Sequence, residues 1–134
     1  MAVQMIDPAG LELAVPYRHV AVGTGARQVH VAGQVGAGSP DAPGSFADQV
    51  AEALRNVGQA LAAAGATFGD VVRLTFYVTG WTGSERLPEL LDGVARVRGE
   101  LAIPDPLPPA SLIGVAALFE PHMLVEIEAT AVLD

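Results

Sequence analysis

Near the end of the chain Glu126 and Glu128 stand two residues apart, in the run Met-Leu-Val-Glu-Ile-Glu-Ala-Thr-Ala-Val from 123 to 132. Alternation along a strand sends Val125, Ile127, Ala129 and Ala131 to one face and Leu124, Glu126, Glu128 and Thr130 to the other. Two carboxylates about 7 Å apart by strand rise then share one side of an otherwise apolar segment. Either that side is an ordinary wet face, or the acids are desolvated and require donors, a ligand pocket or a second chain. In the second case they could move protons in a reaction on a small molecule. Pattern alone leaves both readings open.

Composition removes much of the competing chemistry. The chain has no cysteine, which excludes disulfides, thiolate nucleophiles and cysteine-held zinc or iron–sulfur centres. It also has no lysine, all seven basic residues being arginine, so Schiff-base and phosphate-loop lysines are excluded as well. A formal net charge of −8 opposes a polyanionic partner, and nucleic acid is not expected. His19, His30 and His122 lack ligand spacing, and neither metal nor cofactor is expected. Ser111 has no nucleophile-elbow glycines around it, which weakens a serine-hydrolase reading. No apolar run approaches the roughly 18 residues of a membrane span, and the first residues lack the pattern of a signal peptide. The expectation is a soluble, cytoplasmic protein with no membrane partner. A length of 134 residues suits a single domain spanning 1–134.

The elements that must position the acids follow from local signals. Residues 11–20 are extended in character, with Pro16 marking an edge or break just before Tyr17. A turn at 23–26 and a strand at 28–32 suggest a hairpin with that segment. Residues 37–44 read as a loop. Ser45 with Asp48 three residues on forms a capping-box signal, and Phe46, Val50, Ala53, Leu54, Val57, Ala60, Leu61 and Ala64 make one helical stripe ending before Gly65. Val71–Thr79 is rich in β-branched and aromatic residues and predicts a strand. Pro88 opens a second helix running to about Glu100, with Leu87, Leu90, Leu91, Val94 and Leu101 on its apolar face and Arg96 and Arg98 in solvent. The prolines between Ile103 and Pro109 make a stiff connector. Strand character returns at 111–118, and residues 119–122 turn into the final strand. This order predicts an α+β fold with two helices packed on one face of a mixed sheet. The opposite face, carrying Glu126 and Glu128 beside apolar residues, is expected to be covered by oligomerisation.

Several of these segments together resemble one family. Pro16-Tyr17, Val31-Ala32-Gly33-Gln34, Leu61-Ala62-Ala63-Ala64-Gly65, Asp70-Val71-Val72-Arg73-Leu74-Thr75, Val115-Ala116-Ala117-Leu118 and Val125-Glu126-Ile127-Glu128-Ala129 are similar, in that order, to the RidA (YjgF/UK114) family. The resemblance covers nearly the whole chain. It implies a chorismate-mutase-like α+β fold assembled as a homotrimer, with a small-molecule cleft at each subunit interface. It also implies deaminase-type hydrolysis of reactive enamines and imines, such as 2-aminoacrylate and its tautomer, to a keto acid and ammonia. By motif the family's water-directing glutamate falls on Glu126 and its wall tyrosine on Tyr17, while Ala32 and Gly33 take the places of the family's serine and glycine. The family's arginine, which holds the substrate carboxylate, has no counterpart: Pro108-Pro109-Ala110-Ser111 puts Ala110 at that position and Leu112 two residues on. A charge-assisted hydrogen bond of this kind is typically worth about 1.5–3 kcal/mol. Its absence points to an imine, enamine or carbonyl ligand without a carboxylate there, to replacement by another arginine such as Arg18, or to a binding module without catalysis. An RNA-acting translation inhibitor, also represented in the family, is disfavoured by the negative charge.

Overall fold

A computed structural model describes residues 2–134. Strands β1 (Val3–Ile6), β2 (Val20–Gly23) and β3 (Arg27–Val35) lead into helix α1 (Phe46–Ala63). Strand β4 (Val71–Thr79) and helix α2 (Leu87–Leu101) follow, and β5 (Ala110–Val115) and β6 (Val125–Leu133) complete the order. Four strands form a mixed sheet in the order β3-β6-β4-β5, with β6 antiparallel to both neighbours and β5 parallel to β4. The α+β architecture expected from the element order is present, with both helices on one face of the sheet.

Local chemistry explains the first helix. Ser45 accepts from the Asp48 amide and the Asp48 carboxylate accepts from the Ser45 amide, completing the capping box. Arg96 of α2 also binds Asp48, at 2.7 Å, and these donors hold the carboxyl of Asp48 below its usual range, the Ser45 amide contributing most. The stripe from Phe46 through Val50, Leu54 and Val57 to Leu61 is buried, each such aliphatic side chain worth about 1.5–3 kcal/mol of transfer energy. The helix ends before Gly65, whose φ of +79° lies in the left-handed region. The helices cross closely at Gly93, where a Cβ would stand 2.7 Å from Cβ of Val50 and 2.8 Å from the carbonyl oxygen of Ala47.

Three expectations are corrected by the fold. No hairpin forms between residues 11–20 and 28–32: β2 pairs with β1, while β3 takes β6 as its partner. Sequence-adjacent strands separate here because β6 offers β3 a long antiparallel edge, and β2 finds its ladder in the preceding segment 3–6. Strand β5 stops at Val115 rather than 118. Arg98 is half-buried, reaching the Pro104 carbonyl and, at 3.6 Å, Asp105. It thereby ties the end of α2 to the proline-rich connector.

Candidate functional site

On β6 the alternation is realised in full. Val125, Ile127, Ala129 and Ala131 are buried towards the helices, and Glu126, Glu128 and Thr130 lie on the opposite face at intermediate exposure. Register sets Tyr77 of β4 beside Glu126, Thr75 beside Glu128 and Arg73 beside Thr130. Ser111 and Ile113 continue the same face on β5. This face is more polar than the sequence suggested, with Ile113 the large hydrophobic exposed on it among these residues.

Within this face the side chains are organised diagonally. The Tyr77 hydroxyl donates to Glu128 Oε1 at 2.6 Å, passing over the residue directly beside it. That bond, followed by burial and the negative charges of Glu128 and Glu126, raises the Tyr77 phenol above its ordinary value, while Arg73 pulls the other way. Arg73 Nη2 donates to Ser111 Oγ. Glu128 therefore has a donor from β4, whereas Glu126 faces a gap.

The gap is made by β3. Its register against β6 shifts between Val31 and Gln34, so Ala32 and Gly33 fall in an irregularity. A Cβ on Gly33 would lie 2.5 Å from Cδ and 2.6 Å from Oε1 of Glu126. The carboxylate thus occupies space that only glycine leaves. The start of β6 is fixed by Gln49 of α1, a fully buried side chain whose amide donates to the carbonyls of Gly44 and His122 and accepts from the Leu124 amide at 2.9 Å. Gln49 was not singled out from sequence. Its signal was present: a polar residue between Phe46 and Val50 on an otherwise apolar stripe.

A second group of candidate residues gathers elsewhere. Tyr17, Ala110, Ser111 and Leu112 line a cavity of about 350 Å³ with Phe76, Leu87, Leu90, Leu91, Leu107 and residues 14–16. The N-terminal segment is held there by two backbone bonds, Arg18 N–H to the Leu107 carbonyl at 2.7 Å and Leu107 N–H to the Pro16 carbonyl at 2.9 Å. The proline-rich connector keeps Leu107 extended, and the Leu74 amide binds the Pro109 carbonyl at 2.9 Å, feeding the chain into β5. Tyr17 packs edge-on against His19, with ring centroids 5.6 Å apart. Arg18 points away, its Nε 2.6 Å from Asp7 Oδ2.

One chain therefore sets Gly33, next to Ala32 in the irregularity of β3, against Glu126, and separately brings Tyr17 to the cavity lined by Ala110, Ser111 and Leu112. It does not bring the two groups to one site, because Ala110 and Leu112 pair with Leu74 and Phe76, on the sheet face opposite Glu126. Sequence reasoning also missed the lining supplied by Leu87, Leu90 and Leu91, assigned simply to an amphipathic helix face. Among the described residues no cluster of three or more histidine, aspartate and glutamate side chains could hold a metal ion, and no helix is long and apolar enough to cross a membrane.

The family described as endoribonuclease L-PSP matches residues 9–133. A Yersinia pestis protein of unknown function from the conserved Rid family, YyfB, is 34% identical over 99% of this chain and 100% of its own, with a TM-score of 0.82. A Mycobacterium tuberculosis member of the YjgF/YER057c/UK114 family is 36% identical, covering 98% of this chain and 99% of its own, with a TM-score of 0.61. Escherichia coli TdcF, solved with bound serine, is 26% identical over 80% of this chain and 81% of its own, with a TM-score of 0.66. None of the curated proteins matches the chain.

Proposed function

The chain belongs to the Rid (YjgF/UK114) family, described as endoribonuclease L-PSP, and from that premise we propose that it is a homotrimeric small-molecule-binding protein whose clefts hydrolyse an imine or enamine. The observation that carries the reading is the division of the candidate residues between opposite faces of one sheet. A cleft containing Glu126 and Gly33 from one copy and Tyr17, Ala110 and Leu112 from another needs an interface between copies. Binding of serine by TdcF supports a small-molecule ligand for such a cleft.

In the proposed reaction Glu126 takes a proton from water as the water oxygen attacks the carbon of the C=N bond. The π pair moves to nitrogen, which acquires a proton, giving a carbinolamine. Loss of the hydroxyl proton forms C=O, the C–N bond breaks, and protonated nitrogen leaves as ammonia. Gly33 leaves room for the carboxylate, and Tyr17 forms a wall of the pocket. With Ala110 in place of an arginine and Arg18 engaged by Asp7, the ligand carries no carboxylate at the Ala110 end.

A polyanion is a poor partner for this surface despite the family's descriptive name. The net charge is −8, and Arg18, Arg55 and Arg96 are already paired with carboxylates. The test is ammonia release from imines generated in situ, with and without an α-carboxylate, by the wild type and by Glu126→Gln. Loss of turnover in a variant that keeps the trimer supports the assignment. Undiminished turnover in Glu126→Gln removes Glu126 from the mechanism, and ligand-dependent stabilisation without any turnover identifies a binding module instead.

A further inference from the structure

The cavity beside β5 has a composition that specifies more than the lack of a carboxylate anchor. Its walls come from four separate parts of the chain: residues 14–17, the middle of β4 at Phe76, the first turns of α2 at Leu87, Leu90 and Leu91, and the connector and β5 from Leu107 to Leu112. Among the described residues no charged one lines it. Of its two hydroxyl-bearing lining residues, Tyr17 and Ser111, the second turns its side chain to the opposite face of the sheet, where Arg73 donates to it. An anion placed inside would lose hydration without gaining a cationic partner, a cost of several kcal/mol in general. An apolar group would gain from the same surroundings. The volume, about 350 Å³, lies in the range of small-molecule sites.

We infer that this cavity receives an apolar substituent, an aromatic ring or a branched aliphatic chain, attached to the carbonyl or imine carbon of the ligand. The inference rests on the proposed interface cleft. The substituent fills the space between Tyr17, Phe76, Leu91 and Leu112, and the polar carbon lies at the mouth, where a second copy brings Glu126. Specificity then comes from apolar contact and exclusion of charge, where a carboxylate clamp would use a bidentate pair. Ala110 contributes by its small size, since any longer residue on that position would fill the cavity from the β5 side.

Isothermal titration of the full-length protein with four carbonyl probes tests this: acetone, phenylacetone, pyruvate and phenylpyruvate. Phenylacetone is expected to bind at least about tenfold more tightly than acetone, the equivalent of one buried ring being worth more than about 1.4 kcal/mol. It should also exceed both keto acids. Ala110→Arg and Leu112→Ser should each weaken phenylacetone at least about tenfold. The two substitutions act differently, one by filling and charging the cavity and the other by making it polar, so a folding failure in one leaves the other informative. Equal affinity for acetone and phenylacetone overturns the inference, as does tighter binding of pyruvate or unchanged phenylacetone binding by both folded variants. The two readings fail separately. A phenyl preference without ammonia release from any imine refutes the hydrolase and retains the pocket, whereas ammonia release with no phenyl preference refutes the pocket and retains the hydrolase.

Discussion

Gly33→Ala isolates the contact that gives Glu126 its place. The added Cβ would stand 2.5 Å from Glu126 Cδ, 2.6 Å from Oε1 and 2.7 Å from Cγ, against an optimum of about 3.5–4.0 Å between carbon atoms. Gly33 is not among the glycines with positive φ, so the methyl group acts by collision and not through backbone strain. What it meets is the far end of a flexible side chain, which can swing aside. The cost to the fold is that of one off-rotamer side chain, about 0.5–1.5 kcal/mol, or at most about 5 °C in Tm for a chain of this length. The cost to chemistry is larger. Restoring ordinary contact moves the carboxylate by about 1 Å, and a misplacement of that size costs on the order of 10²-fold in rate. Thermal unfolding should therefore change little while ammonia release falls about a hundredfold, with the oligomer unchanged. Gly114→Ala is the control, because its Cβ would meet Trp81 at 3.5 Å, an ordinary contact. Wild-type turnover in Gly33→Ala, alongside an inactive Glu126→Gln, would show that Gly33 does not position the acid. A fall of more than about 10 °C in Tm would show instead that Glu126 cannot swing and that the bulge itself is broken.

Two further predictions concern the supports of the site. Gln49→Leu leaves the His122 carbonyl and the Leu124 amide without their side-chain partner, and should lower stability by about 2–4 kcal/mol, read as a reduced urea midpoint at an unchanged m value; an unchanged midpoint would mean that water replaces both bonds at no cost. Tyr77→Phe should alter the alkaline limb of stability. The Tyr77 phenol is raised chiefly by its bond to Glu128, so the folded protein holds that proton more tightly than the unfolded chain does. This stabilisation is complete below the ordinary tyrosine value of 10.0 and is lost as pH rises through the higher folded value. Tm followed from about pH 8 to about pH 11 should therefore fall less steeply in Tyr77→Phe. The absence of lysine keeps that range nearly free of other titrations, and identical slopes would refute the assignment.

What could be read from sequence was what neighbours in the chain decide. Ser45, Asp48, the stripe from Phe46 to Leu61 and Gly65 describe α1 almost residue for residue, since caps and periodicity act within a few turns. Val71–Thr79 was equally legible, its β-branched and aromatic residues matching β4 at both ends. Alternation told correctly which β6 residues face the helices. Choices among distant partners were not legible. Nothing local says that β2 will leave β3 for β1, that β3 will slip register between Val31 and Gln34, or that Gln49 will reach 75 residues along the chain to Leu124. The candidate site suffered most from this, because its two halves are set by strand register and by which face each strand turns to the helices.

That separation changes how the missing arginine should be weighed. Judged as a motif, Ala110 is one substitution at one position, and Ala110→Arg would look like a repair. In the folded chain Ala110 belongs to a wall shared with Phe76, Leu91, Leu107 and Leu112. A guanidinium introduced there would be desolvated among aliphatic side chains, with the Ser111 hydroxyl already engaged by Arg73, and burial without a partner carries a penalty comparable to the gain expected from a carboxylate ligand. The apolar character is thus collective, distributed over the first turns of α2, β4 and β5, and a carboxylate site would require several of these residues to change together. A pocket in which separate elements agree on one chemistry is better explained by a ligand with that chemistry than by the loss of a single anchor.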